Sequence, residues 1–259
     1  MTDLRFDDAV VLVTGGVRGV GAGIARTFLS RGATVVTCAR NEPEQPLAED
    51  GRQAEFRACD LREPEQSERL VSEIVQRHGR LDVVVNNAGG SPFAPADTAS
   101  PRFHRKIVDI NLLAPLALAQ HANAVMQDQA GGGSIVMVSS VSGSRPSPGT
   151  AGYGAAKAGL DNLTASLAVE WAPKVRVNGL RVGMVRTEGA EQHYGDAEGV
   201  AEVGKTVPLG RLAEPAEVGE CASFLASDLA SYVTGATLEV HGGGEVPAFL
   251  SASNAENHG

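Results

Sequence analysis

The chain has 259 residues, 22 Lys plus Arg against 31 Asp plus Glu, and a formal net charge of −9, which leaves no cationic excess for phosphate backbones or anionic headgroups. Its hydrophobic content of 42% suffices for one buried core, so a single globular domain over 1–259 is expected. With no run of about 18 apolar residues and no basic-then-apolar leader, neither nucleic acid nor membrane is an expected partner.

Short β-branched runs alternate with segments of helical period along the whole chain, which predicts an α/β fold: a doubly wound parallel sheet of about seven strands with helices on both faces. Strands are expected at Ala9–Thr14, Thr34–Ala39, Glu55–Cys59, Leu81–Asn86, Ser134–Ser139, Val175–Leu180 and Thr237–Val240. Helices are expected over 19–31, 65–78, 100–128, 152–172 and 215–226. The unbroken apolar runs at 83–85 and 135–138 require burial on both faces, which a parallel sheet provides. Arg31-Gly32 reads as a last-turn cation followed by a C-cap glycine. Pro64 suits the first turn of the second helix, with Glu63 or Asp60 as its cap. Residues 41–52, with Pro43 and Pro46, read as a surface loop. Residues 187–208 have weak periodicity and follow the carboxyl end of the sixth strand, where ligands of open α/β sheets bind, so they read as a lid. Residues 245–259 form a tail. Cys38, Cys59 and Cys221 are widely spaced and in no CxxC pair, which fits a reducing cytoplasm and predicts no disulfide framework and no metal site.

The first strand runs into Gly15-Gly16-Val17-Arg18-Gly19-Val20-Gly21 and then a helix. Glycines at such a junction allow a tight turn, close approach of a pyrophosphate to the backbone, and close helix packing, with the helix N-terminus facing the anion. An ordinary glycine-rich turn is the alternative. Thr14-Gly15 with further glycines at Gly19 and Gly21 departs from GxGxxG and is similar to the pattern of the short-chain dehydrogenase/reductase family, whose domain is of the Rossmann type. At the end of the second strand the acid that would bind a ribose 2′-hydroxyl is missing; Ala39 stands there, followed by Arg40. A guanidinium suits a 2′-phosphate, and Arg18 supplies a second one, so NADP(H) is expected in preference to NAD(H). By the resemblance, Asp60 matches the aspartate that contacts the adenine amino group. Asn87, Ala88 and Gly89 lie in a match to the family's Asn-Asn-Ala-Gly motif, and Val20, Leu61 and Val185 also fall along the cofactor.

Tyr153 and Lys157 are four apart at the start of a helix, hence on one face about one turn apart. Three Tyr and four Lys in 259 residues make such a pair about a one-in-twenty coincidence. A nearby ammonium lowers the pKa of a phenol, so Lys157 is expected to ease ionisation of Tyr153. Ser140 precedes Tyr153 by thirteen residues, and Asn111 is a polar residue inside a predicted helix, where it is intrinsically disfavoured. The resemblance implies that Asn111, Ser140, Tyr153 and Lys157 form a catalytic tetrad. Tyr153 would exchange the proton with the substrate oxygen and Ser140 would hydrogen-bond that oxygen. Lys157 would hold the nicotinamide ribose, and Asn111 would anchor a water linked to Lys157. Gly183 and Thr187 match the nicotinamide-binding turn, but Val182 replaces its usual proline, a change expected to loosen the turn. Arg181 is expected to pair with a local carboxylate or solvent rather than an anionic substrate.

The resemblance spans about residues 5–245, including Pro208–Pro215 and the Thr234-Gly-Ala-Thr segment, with His241-Gly-Gly-Gly in place of Asp-Gly-Gly. It implies an alcohol dehydrogenase/ketoreductase acting on a small carbonyl or alcohol, and a homo-oligomer, tetramer or dimer. A dehydratase or epimerase on the same tetrad and a non-enzymatic nucleotide sensor are the alternatives. Substrate walls are expected at Ser91–Ala96, Val141–Gly152 and Met184–Val203, with Arg145, His193 and Tyr194 among them.

Overall fold

In the computed structural model, which describes residues 4–190 and 194–252, the apolar runs become strands linked by helices. The first half comprises β1 (Val10–Thr14), α1 (Gly19–Ser30), β2 (Thr34–Ala39), β3 (Ala48–Glu49), β4 (Arg52–Gln53), β5 (Glu55–Ala58), α2 (Pro64–His78), β6 (Val83–Asn86), α3 (Pro101–Val108) and α4 (Ala114–Asp128). The second comprises β7 (Gly133–Ser140), α5 (Ala151–Trp171), β8 (Val175–Val182), α6 (Ala197–Lys205), α7 (Pro215–Ala226), β9 (Thr237–Val240) and α8 (Ala248–Ala252). Seven strands form one parallel sheet in the order β5-β2-β1-β6-β7-β8-β9. The order reverses between β1 and β6, and a crevice opens at the carboxyl ends of that pair.

Strand alternation divides the core in two. Val10 and Leu12 join α2, α4 and α5 on one face, while Val11 and Val13 join α1 and α7 on the other. The α1–α7 contact is made by glycines: a Cβ on Gly23 would overlap Pro215, and one on Gly219 would overlap Thr27. Arg31, expected to serve its own helix end, reaches across instead to Glu220 and Ser223 of α7.

Four expectations are corrected. The helix expected over 100–128 is two helices joined by a π-helical turn at Asp109–Leu113. The loop at 41–52 contains β3 and the start of β4, a hairpin whose turn residues Asp50 and Gly51 have φ of 48° and 73°, both in the left-handed region that a primed two-residue turn requires. The first turn of α2 has Pro64 in place, but neither Glu63 nor Asp60 caps it, since Glu63 makes no side-chain cap bond and Asp60 accepts from the Arg62 backbone at 3.1 Å. The segment 187–208 is not aperiodic throughout, because α6 lies within it; residues 191–193 fall outside the described residues. Its two ends are pinned together by a bridge between Val185 and Ala213, with hydrogen bonds from Ala213 N–H to the Met184 carbonyl and from Arg186 N–H to the Ala213 carbonyl. The tail carries α8, and its residues 253–259 are likewise outside the description.

Candidate active site

The crevice is a cleft of about 1320 Å³ that reaches from the β2–β5 edge to the start of α5. At its centre β1 turns into α1 through Gly15 (φ 61°) and Gly19 (φ 53°), conformations that favour glycine. A Cβ on Gly21 would overlap the Gly15 carbonyl, so the loop folds tightly against the helix start. The N-terminus of α1 has no side-chain cap at Arg18; the Gly19 N–H instead donates to Glu188 Oε2 at 3.0 Å. A carboxylate there satisfies donors that suit any anion. Thr14 ties the loop to β6: its hydroxyl oxygen accepts from the N–H groups of Asn87 and Ala88, both at 2.9 Å, and Asn87 Nδ2 donates to the Thr14 carbonyl at 2.9 Å. The sequence carried Thr14 only as half of a Thr-Gly pair.

Toward the β2–β5 edge the lining changes to guanidinium. Arg18 and Arg40 are exposed, and Ala39 leaves no carboxylate between them. Asp60 is clasped by Arg62, from Nε at 2.9 Å and through a second guanidinium nitrogen. Arg62, with a contribution from Arg40, holds the Asp60 carboxyl below its ordinary range. Sequence reasoning passed over Arg62, which only the clasp makes visible.

At the other end, α5 presents Tyr153 and Lys157. Lys157 is buried, donates to the Val138 carbonyl at 2.8 Å, and lies 5.6 Å from the centre of the Tyr153 ring. Burial drives its ammonium down to about 8, opposed by the Asp161 carboxylate. Burial also raises the Tyr153 phenol; the Ser140 hydroxyl pulls it back, and Tyr194 adds to the rise. The expected easing of Tyr153 ionisation by Lys157 is therefore not what the chain alone produces: desolvation dominates, and the lowering comes from Ser140. Ser140 Oγ accepts the Ser142 N–H at 3.2 Å and so keeps its own proton for donation. Ser139, one residue earlier, donates to the Lys157 carbonyl at 3.2 Å and fixes the helix to β7.

Asn111 sits behind this wall, fully buried in the π-helical turn. Its Oδ1 accepts the Gly90 N–H at 2.8 Å, and its Nδ2 donates to the Gly90 and Ile107 carbonyls, both at 2.9 Å. Both amide protons are spent on main chain, so only Oδ1 remains to receive a water. The cleft lining thus brings together Gly15, Arg18, Gly19, Val20, Gly21, Arg40, Asp60, Leu61, Asn87, Ala88, Gly89, Ser140, Tyr153, Lys157, Gly183, Val185 and Thr187, while Asn111 supports it from behind.

Val182, expected to loosen its turn, lies inside a strand. It extends β8 by two residues beyond the expected strand, pairs with Val240, and is followed by a hydrogen bond from Gly183 N–H to the Val240 carbonyl at 3.0 Å. Arg181 turns away from the cleft to Asp161, at 2.7 Å, and to Glu239. Of the expected substrate walls, Tyr194 is half-buried and Arg145 pairs with Glu245 at 2.7 Å, whereas His193 lies outside the described residues. Among the described residues no helix is long and apolar enough to cross a membrane.

Residues 15–245 match the family model described as Enoyl-(Acyl carrier protein) reductase. An uncharacterized oxidoreductase of Mycobacterium tuberculosis is 36% identical over 92% of this chain and 93% of its own. Human dehydrogenase/reductase SDR family member 4 is 37% identical over 90% of this chain and 86% of its own. The chain belongs to the short-chain dehydrogenase/reductase family. The ligand-free aldohexose dehydrogenase of Thermoplasma acidophilum superposes on this family member with a TM-score of 0.86 at 30% identity, covering 100% of this chain and 99% of that one. As a short-chain dehydrogenase/reductase the protein is an oxidoreductase that works between alcohol and carbonyl with a nicotinamide cofactor. Its cleft fits such a group: left-handed glycines clear the backbone, the start of α1 already binds a carboxylate at the Gly19 N–H as it would a pyrophosphate, and guanidiniums flank the far end.

Proposed function

We propose that this short-chain dehydrogenase/reductase is an NADP(H)-dependent ketoreductase/alcohol dehydrogenase acting on the carbonyl or secondary alcohol of a small organic molecule. The observation that carries the reading is the polarity of the cleft, with Arg18, Arg40 and Arg62 at one end and a phenol, a hydroxyl and a buried ammonium at the other. The Gly15–Gly21 loop and the start of α1 would hold the pyrophosphate, Arg18 and Arg40 the 2′-phosphate, and Lys157 the nicotinamide ribose. When bound, the nicotinamide supplies or accepts the hydride. In carbonyl reduction Tyr153 gives its proton to the substrate oxygen while Ser140 donates a hydrogen bond to it. A recessed phenol with a raised pKa is held protonated at neutral pH, as an acid requires.

The test is cofactor oxidation with a panel of carbonyl compounds, NADPH against NADH. Turnover with NADPH is expected; equal use of both cofactors would refute the 2′-phosphate assignment. Arg40→Ala and Ala39→Asp should each weaken NADPH about ten- to a hundredfold and leave NADH little changed. We further propose a homo-oligomer, supported by the exposed Leu229, Tyr232 and Leu238 near the edge strand β9, and a cytoplasmic location, supported by three free cysteines.

A further inference from the structure

Lys157 is 3% exposed, and the Val138 carbonyl takes one of its three ammonium donors. One turn further along α5, on the same face, stands Asp161. Its Oδ2 accepts two bonds from Arg181, from Nη2 at 2.7 Å and from Nε at 3.0 Å. Its Oδ1 is shut off from solvent and has no partner among the described residues. Arg181 comes from β8, in register between Ser139 of β7 and Glu239 of β9. Glu239 takes another guanidinium nitrogen and also pairs with His241 at 3.1 Å. A buried carboxylate oxygen without a donor is costly, and it persists where a neighbouring positive charge offsets the cost.

We propose that the Asp161–Arg181 pair is a positioning device for Lys157: the carboxylate, oriented by the guanidinium fork, keeps the buried ammonium charged behind Tyr153, and Arg181 sets how much of that negative charge the lysine feels. The role assigned to Lys157 rests on the activity proposed above. The direction of the charge effect supports the geometry, since Asp161 opposes the downward pull of burial on Lys157. The other groups on elements packed against α5 are Arg102, His104, Arg105 and Lys106 of α3, with His104 Nδ1 beside Gly152, Asp109 of the π-helical turn, Arg176 of β8, whose guanidinium is taken by main-chain carbonyls at 225–227 and 233, and the hydroxyls of Ser139 and Ser140 on β7 and of Ser142 just after it. Tyr153 shares the helix with Lys157, and Tyr194 reaches Tyr153 from the lid.

The experiment titrates Lys157 directly by NMR of protein labelled with ¹³C at the lysine ε-carbon. The chain has only four lysines, and Lys157→Met identifies the resonance. Asp161→Asn keeps the shape of the side chain and removes its charge, so the Lys157 midpoint should fall by about one pH unit or more. Arg181→Met leaves the carboxylate without its counter-charge, so the midpoint should rise. In carbonyl reduction the limb that follows Lys157 deprotonation should move with the same signs, and the activity lost in Asp161→Asn should return as the pH is lowered. Unmoved midpoints, or midpoints that move together, would overturn the proposal. Should Asp161→Asn fail to fold, Arg181→Met decides: a midpoint unchanged or lowered is fatal. The NMR titration stays readable if no carbonyl compound is turned over, an outcome that would sink the proposed activity alone.

Discussion

Burial pushes Tyr153 and Lys157 toward their neutral forms, which suits a proton-donating phenol and costs a charged lysine. Tyr153→Phe removes a hydroxyl and little else, so cofactor binding measured by fluorescence should persist while turnover falls a hundredfold or more, about the usual loss of general acid–base catalysis. Lys157→Met should lower cofactor affinity and turnover together, because it removes both the proposed ribose contact and the charge behind Tyr153. With its pKa lowered from 10.5 to about 8, the lysine binds fewer protons folded than unfolded between those values, so the stability of the parent rises with pH across that window. Its destabilising effect is fully present below pH 8. Lys157→Met should therefore unfold at higher denaturant than the parent at pH 7, with the gap narrowing toward pH 10; a constant gap would mean that the lysine is not the titrating group. A residue kept at such a cost is one held for function.

The segment expected as a lid meets the cleft at Glu188. Glu188 occupies the Gly19 N–H that a pyrophosphate would need, so cofactor must displace a carboxylate from the start of α1. Glu188→Gln should tighten NADPH binding by up to about fivefold, the scale of an exposed ionic contact, and calorimetry would read it. Hydrogen exchange over the described part of 187–208 should slow in a ternary complex; identical exchange with and without ligands would argue against a lid. Element by element, the sequence was most legible where burial dictates residue type. β2, β9 and α7 have the expected bounds, because apolar runs and a proline at the first turn leave little choice. It was least legible where one side chain redirects the backbone. The 100–128 pattern is continuous by period, and only the hydrogen bonds of Asn111 to Gly90 and Ile107 mark the π-helical turn. Asp50-Gly51 was a readable hairpin signal, masked by the prolines before it. In the site, the glycines, Asn87, Tyr153 and Lys157 stood out by spacing, whereas Arg62, Asp161 and Glu188 matter through partners 2, 20 and 169 positions away.

At the scale of the molecule, β9 ends the sheet with an edge that no strand among the described residues pairs, and Leu229 and Tyr232 lie exposed just before it at 63% and 103%. Such an edge is ordinarily covered. Sedimentation should find a dimer or tetramer, and Leu229→Asp with Tyr232→Asp should reduce it to a smaller species of unchanged circular dichroism. The bridge between Val185 and Ala213 has a different consequence. Because the bridge holds residues 185 and 213 together just past the end of β8, the length between can change at little entropic cost and without disturbing the strands. Divergence of this protein from its ancestors can thus proceed in two compartments. Where α1 packs on α7, Gly23 and Gly219 leave no room for an added side chain, whereas the excursion beyond Glu188 can change in length by insertion or deletion up to residue 212.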